Sequence, residues 1–167
     1  MLEETYLKII SAKTAELFAA STKVGAILSN MKNKEKEALE FYGRNLGLTF
    51  QIADDTLDYN SELKFFGKKI GKDFFEGKTT LPIILLFQKA NSFEKQKIEF
   101  FFQKKIRSDS DFLYILDLIK KYKIINKCYK KAEHFINLAS NSLSIFEDTK
   151  EKKTLENLTS FSLERNF

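Results

Sequence analysis

Apolar residues recur along this chain at three- and four-residue steps, the spacing that lines one face of an α-helix. Ile9, Ile10, Leu17 and Phe18 mark a helix from about Glu3 to Ser21, and a second short helix is expected over Val24 to Met31 after a break near Gly25. Asn33 is placed to cap the next helix, which the pattern carries from Lys34 to about Tyr59 through Ala38, Phe41, Tyr42, Leu46, Phe50, Ala53 and Leu57. Gly43 and Gly47 stand four apart within it, which allows a neighbouring helix to approach closely at a cost in helix propensity. The period fails from Asn60 to Thr80, where polar residues, glycines and phenylalanines predict a loop with a helical turn around Phe65. Thr80-Leu81-Pro82 then restarts a buried apolar helix, proline being tolerated in a first turn.

Plainer stripes follow. Ile98, Phe101 and Phe102 mark a helix over Phe93 to Lys105, and Phe112, Ile115, Leu116 and Ile119 another over Asp111 to Tyr122. Tyr129, Ala132, Ile136, Ala139, Leu143 and Phe146 define a third over Asn126 to Phe146, and Leu155, Leu158 and Phe161 a closing helix. No repeat or interdomain linker interrupts the series, so the pattern predicts an all-α helical bundle.

Two polar segments depart from this plain patterning. In Phe50-Gln51-Ile52-Ala53-Asp54-Asp55-Thr56-Leu57-Asp58, a helix sets Asp54 and Asp58 one turn apart with Asp55 beside them. Like charges so crowded weaken a helix unless a cation joins them, and Mg2+ takes carboxylate oxygens, keeps several waters and completes its shell with phosphates. Gly67-Lys68-Lys69-Ile70-Gly71-Lys72-Asp73-Phe74-Phe75-Glu76-Gly77-Lys78-Thr79-Thr80-Leu81-Pro82 supplies the complementary half. Lys68 and Lys78 are mobile point charges for phosphate oxygens, and Gly67, Gly71 and Gly77 permit turns that side chains obstruct. Asp73 and Glu76 are expected to hold these lysines in place.

This run of motifs resembles the second aspartate-rich region of trans-prenyl diphosphate synthases, most closely the bacterial polyprenyl, octaprenyl-type branch. The resemblance implies the isoprenoid synthase helical fold and Mg2+-dependent head-to-tail condensation of isopentenyl diphosphate with an allylic prenyl diphosphate. It implies metal roles for Asp54, Asp55 and Asp58, with Asp54 the foremost ligand and Asp55 mainly in support. Lys68 and Lys78 are implied as diphosphate contacts. The stretch Lys13-Thr14-Ala15-Glu16-Leu17-Phe18 is similar to the family element that holds the allylic diphosphate, which adds Lys13 and Thr14. Phe50 and Gln51 are implied to flank the isopentenyl group and to supply a polar contact, beside a plain reading of both as helix packing.

The chain contains no second aspartate-rich motif, so residues 1–167 correspond to a single partial domain, the C-terminal half of that fold. A split gene, a remnant and an excerpt all satisfy this pattern. Two functions are therefore expected in competition: a synthase half that works with a complementary half or a full-length partner, and a non-catalytic helical subunit that keeps the site by descent. Homo- or hetero-oligomers are expected in either case.

Composition changes this picture little. The net charge of +5 would suit nucleic acid or an anionic surface, but the lysines alternate with glutamates, as in Asn33-Lys34-Glu35-Lys36-Glu37, and no nucleic-acid partner is expected. Seventeen phenylalanines fit an aromatic core or a long apolar ligand, and a compositional bias accounts for them more simply. Single Cys128 and single His134 assemble neither a disulfide nor a zinc site, and both are expected in or beside a helix interface. The apolar run Leu81 to Phe87 is too short to cross a bilayer, and a cytoplasmic location without a transmembrane segment is expected.

Overall fold

The structure, a computed structural model, describes residues 1–60 and 70–164, and every regular element among them is helical. α1 (Glu3–Ile10) continues through one π-helical turn, Ser11–Ala15, into α2 (Glu16–Leu28). The break expected at Gly25 is absent. A glycine within a helix costs about 1 kcal/mol relative to alanine, and the burial of Ala19 and Ala26 to either side keeps the helix intact. It ends instead at Asn30, whose left-handed backbone (φ 52°) lets Asn30 N–H bond Ile27 O and Met31 N–H bond Ala26 O, both at 3.0 Å. That is the 6→1 and 5→2 pairing of a Schellman stop, with asparagine replacing the usual glycine. The second short helix expected over Val24 to Met31 is thus the end of the first.

α3 (Asn33–Leu57) includes Asn33 in its first turn, so Asn33 is not the cap. Glu35 closes that turn instead, its carboxylate accepting the Lys32 N–H at 2.6 Å. The close approach expected at Gly43 and Gly47 is made by the preceding helical segment: a Cβ on Gly43 would stand 2.5 Å from Phe18 O, and one on Gly47 2.6 Å from Ala15 Cα.

Beyond the undescribed residues 61–69, which include the helical turn expected at Phe65, come α4 (Lys72–Glu76), α5 (Leu81–Lys89), α6 (Ser92–Gln103), α7 (Asp109–Lys121), α8 (Ile124–Ser142) and α9 (Lys150–Glu164). α8 closes in a 3-10 turn, Leu143–Ile145. α5 begins as its Thr-Leu-Pro signal predicts, with Pro82 in the first turn and Leu81 to Leu86 all buried. α4 was not expected, because five residues show no period. α8 buries Ile124, Cys128, Ala132, Ile136, Ala139 and Leu143. His134, about half a turn from Ala132 and Ile136, is exposed, which corrects its expected place at an interface.

The chain forms two compact units, one of Met1–Tyr6 with Asp54–Tyr129 and one of Leu7–Ala53 with Lys130–Phe167. The core of the latter unit gathers Ala26, Leu39, Tyr42, Leu46, Ala139 and Leu143, with Phe18, Met31, Phe146 and Leu155 against them. The Tyr42 hydroxyl donates to Leu155 O at 2.8 Å and so ties α9 to α3.

In the other unit α6 and α7 are joined through one carboxylate. Glu94 completes the capping box of α6 with Asn91, and accepts hydrogen bonds from Lys121 Nζ at 2.7 Å and Tyr122 Oη at 2.6 Å. The Lys121 ammonium first, then the Tyr122 hydroxyl and the Asn91 N–H, hold the Glu94 carboxyl down at about 2. A depressed folded-state value adds stability above the unfolded carboxylate range near pH 4.3 and loses it as pH falls towards 2. Urea titrations at several pH values should therefore find Glu94→Gln less stable than the native chain at pH 7, the two converging as the medium is acidified to pH 2.

Candidate functional site

Lys13 and Thr14 sit in the π-helical turn between α1 and α2. An inserted π turn re-aims the side chains it carries, and such turns are frequent at functional sites; nothing in the residue pattern announces it. Lys13 is exposed and has no ion pair or hydrogen bond among the described residues. Thr14 does not bond back to its own helix: its Oγ1 donates to Gln51 Oε1 on α3 at 2.7 Å. Phe50, next to Gln51, lies half-buried with its ring 5.6 Å from that of Phe18. The Leu7–Ala53 unit thus brings Thr14 and Gln51 into contact and leaves Lys13 exposed.

In the other unit the three aspartates, Asp54 and Asp55 in the last turn of α3 and Asp58 just past its end, have separate fates. Asp55 is buried at 5 % exposure and accepts the Tyr6 hydroxyl at 2.7 Å. Burial, and then the Asp55 charge, push the Tyr6 phenol far above its ordinary range, so it stays a neutral donor. Asp58 faces the other way along the chain. Its Oδ1 accepts the N–H groups of Gly71 and Lys72, both at 3.1 Å, and its Oδ2 accepts that of Asp73 at 2.7 Å. These are the orphan donors at the start of α4, capped by a carboxylate from the turn that follows α3. Half-burial pushes the Asp58 carboxyl up, against the pull of those N–H groups.

Asp54 alone is exposed, and it has no ion pair or hydrogen bond among the described residues. Its position in the last turn of α3 gives it a rigid base.

α4 and the turn after it carry Lys78. The helix is framed by two glycines in left-handed backbone, Gly71 at φ 89° and Gly77 at φ 76°. It is anchored below by Phe74, whose ring lies 5.4 Å from Phe112 and 5.6 Å from Phe102. Lys78 pairs with Glu76 at 2.5 Å and Asp73 at 3.3 Å, as expected, and both raise its affinity for the proton, Glu76 more than Asp73. Arg107 is a residue whose role the sequence leaves unmarked. Its guanidinium donates to Phe102 O at 2.7 Å and Phe75 O at 3.3 Å and abuts Gly77, gripping the end of α4. Lys68 and Gly67 lie outside the described residues.

Asp58→Ala should cost about 1–2 kcal/mol, the usual loss on removing a helix cap, and should free the Lys78 segment. Limited proteolysis between Asp58 and Leu81 measures the second effect, and cleavage there should quicken in the variant beyond what its lower global stability explains.

Among the described residues, no three His, Cys, Asp or Glu side chains converge on one point as a metal cage. Asp55 is engaged with a phenol and Asp58 with amides, which leaves Asp54 as the open carboxylate. Such a donor set suits Mg2+, which takes one or two carboxylates and draws its other oxygens from water and phosphate. It does not suit zinc or an all-protein calcium cage.

The polyprenyl synthetase family model matches residues 1–119. A short chain isoprenyl diphosphate synthase of Methanothermobacter thermautotrophicus is 32% identical over 98% of this chain and 50% of its own length. An octaprenyl diphosphate synthase of Haemophilus influenzae is 31% identical over 99% of this chain and 50% of its own. Among solved structures, a Caulobacter crescentus polyprenyl synthase complexed with calcium and isoprenyl diphosphate superposes with a TM-score of 0.92 at 35% identity, covering 100% of this chain and 51% of that one. The chain spans about half the length of the curated relatives it matches. With the family model covering most of its residues, the chain belongs to the polyprenyl synthetase family.

Proposed function

We propose that this chain is the C-terminal half of a prenyl diphosphate synthase, joining isopentenyl diphosphate head-to-tail to an allylic prenyl diphosphate with Mg2+ and a partner that completes the site. Family membership supports the reaction class, and one observation carries the assignment to these residues. Of the three aspartates, Asp54 is exposed on a rigid helix while its neighbours are committed to Tyr6 and to the start of α4.

In this reading the allylic C–O bond breaks first, and charge builds on the departing diphosphate. By the family resemblance Lys13, Lys68 and Lys78 supply positive charge to the diphosphates, and electrostatic stabilisation of developing charge is the usual source of rate in such a step. Asp54, with Asp58 and Asp55 in support, would hold a Mg2+, which would supply further neutralisation of the diphosphate. The isopentenyl double bond then attacks the allylic cation, and the adjacent carbon gives its proton to the departed diphosphate. Phe50 offers an apolar flank to the isopentenyl group, and Gln51, fixed by Thr14, a polar contact. No protein nucleophile takes part. A cytoplasmic setting agrees with the buried, unpaired Cys128, whose thiol burial pushes up to about 12.

Incorporation of labelled isopentenyl diphosphate into butanol-extractable prenyl product tests the proposal. The chain alone should be inactive, and the chain co-expressed with the half of the Methanothermobacter relative that it does not match should gain Mg2+-dependent incorporation. A complex that forms and binds both diphosphates yet makes no product would favour the non-catalytic subunit instead.

A further inference from the structure

The helix from Ala15 to Leu28 is packed the opposite way to a surface helix. Its buried positions are alanines, Ala15, Ala19 and Ala26, each at 0–1 % exposure, while Leu17 is 71 % and Leu28 78 % exposed. Val24 and Ile27, both about half exposed, and Ala20 complete the outer side. Leu17, Val24 and Leu28 follow one another at steps of seven and four, so these residues form one continuous apolar stripe. A helix with one neighbour turns its large apolar residues inwards, because they gain most from leaving water.

Apart from Phe18, which packs against Phe50 and the core, the inner side has little room for them. At Gly43 and Gly47 the backbones of α2 and α3 are so close that a single added Cβ would fall 2.5–2.6 Å from backbone atoms of Phe18 and Ala15. The ion pairs of Lys23 with Glu40 and of Arg44 with Glu16 fix the same face against α3. The leucines are therefore not core residues turned the wrong way; they belong to a second contact face, opposite the alanines.

From this stripe, and from the match to only half of each relative, we infer that the outer face of α2 is the docking surface for the other half of the polyprenyl synthase fold, presented as an apolar helical face. The inference rests on the reading that a complementary half completes this chain. A second copy is the weaker occupant, since it would bring the same half again and supply none of the residues that are missing.

Co-expression of this chain with the tagged, unmatched halves of the Methanothermobacter and Haemophilus relatives tests it. At least one half should co-purify at 1:1 stoichiometry by analytical ultracentrifugation. The double variant Leu17→Glu, Leu28→Glu should lower recovery at least tenfold with an unchanged thermal melt, and Ile106→Glu, at a site 87 % exposed on the other unit, should leave it unchanged. Unaltered recovery of the double variant, no complex with either half, or a native homodimer that the double variant dissolves would each overturn the inference. The two readings fail separately: a 1:1 complex without prenyl product sinks the activity and keeps the docking face, whereas Mg2+-dependent diphosphate binding without any complex keeps the site and sinks the face.

Discussion

Asp54→Ala is expected to weaken Mg2+-dependent binding of isopentenyl diphosphate on the order of 100-fold, the scale set by losing one preorganised electrostatic partner, while the thermal midpoint moves by no more than about 2 °C. The small stability effect follows from the same observation that assigns the role. Asp54 is exposed and without a side-chain partner among the described residues, and a negative charge in the last turn of a helix opposes the macrodipole, so its removal is neutral or slightly favourable. Its neighbour should behave in the reverse manner. Asp55→Ala removes the buried acceptor of the Tyr6 hydroxyl, a loss of about 1–3 kcal/mol, and lowers binding much less than Asp54→Ala does. Calorimetric titration beside a thermal melt separates the two variants.

Gly47→Val should destabilise the chain by about 3 kcal/mol or more, near the upper end of overpacking costs, and lower the melting midpoint by roughly 6–12 °C. The Cβ alone would stand 2.6 Å from Ala15 Cα and 3.2 Å from the Ala15 and Phe18 Cβ atoms. Two helix backbones must part to admit it, and no flexible side-chain end can yield. The contrasting case is Gly25→Ala, where an added Cβ meets nothing within 4 Å. That substitution should stabilise by about 0.4–1 kcal/mol through helix propensity and a less free unfolded chain. Opposite signs at two glycines of one helix pair, read from thermal melts, would show that close approach rather than glycine content governs this packing.

Most helices were legible in the sequence because they bury a stripe at the helical period, as in Ile115, Leu118 and Ile119 of α7 or Ile124, Cys128, Ala132, Ile136, Ala139 and Leu143 of α8, and α5 because of its Thr-Leu-Pro start. What was not legible depends on partners distant in sequence. Asp54, Asp55 and Asp58 form one acidic cluster on paper. They part only because Tyr6, 49 residues before Asp55, takes one and the α4 backbone, 13 to 15 residues beyond Asp58, takes another. α4 itself has five residues, too few for a period, and is held by Asp58, Arg107 and the ring of Phe74 rather than by propensity. The break placed at Gly25 failed for a related reason, since neighbouring alanines pack well enough to carry a glycine. The true stop, Asn30, had a readable signal in its tolerance of left-handed backbone.

If the proposed reading holds, this chain by itself assembles one wall of a metal-dependent diphosphate site. Isopentenyl diphosphate titrated by calorimetry into the folded native chain, with Mg2+ and then with excess chelator, should show measurable binding that weakens at least tenfold when Mg2+ is withdrawn. No binding, or binding indifferent to the metal, by a chain whose melt shows it folded would mean that no such wall is assembled.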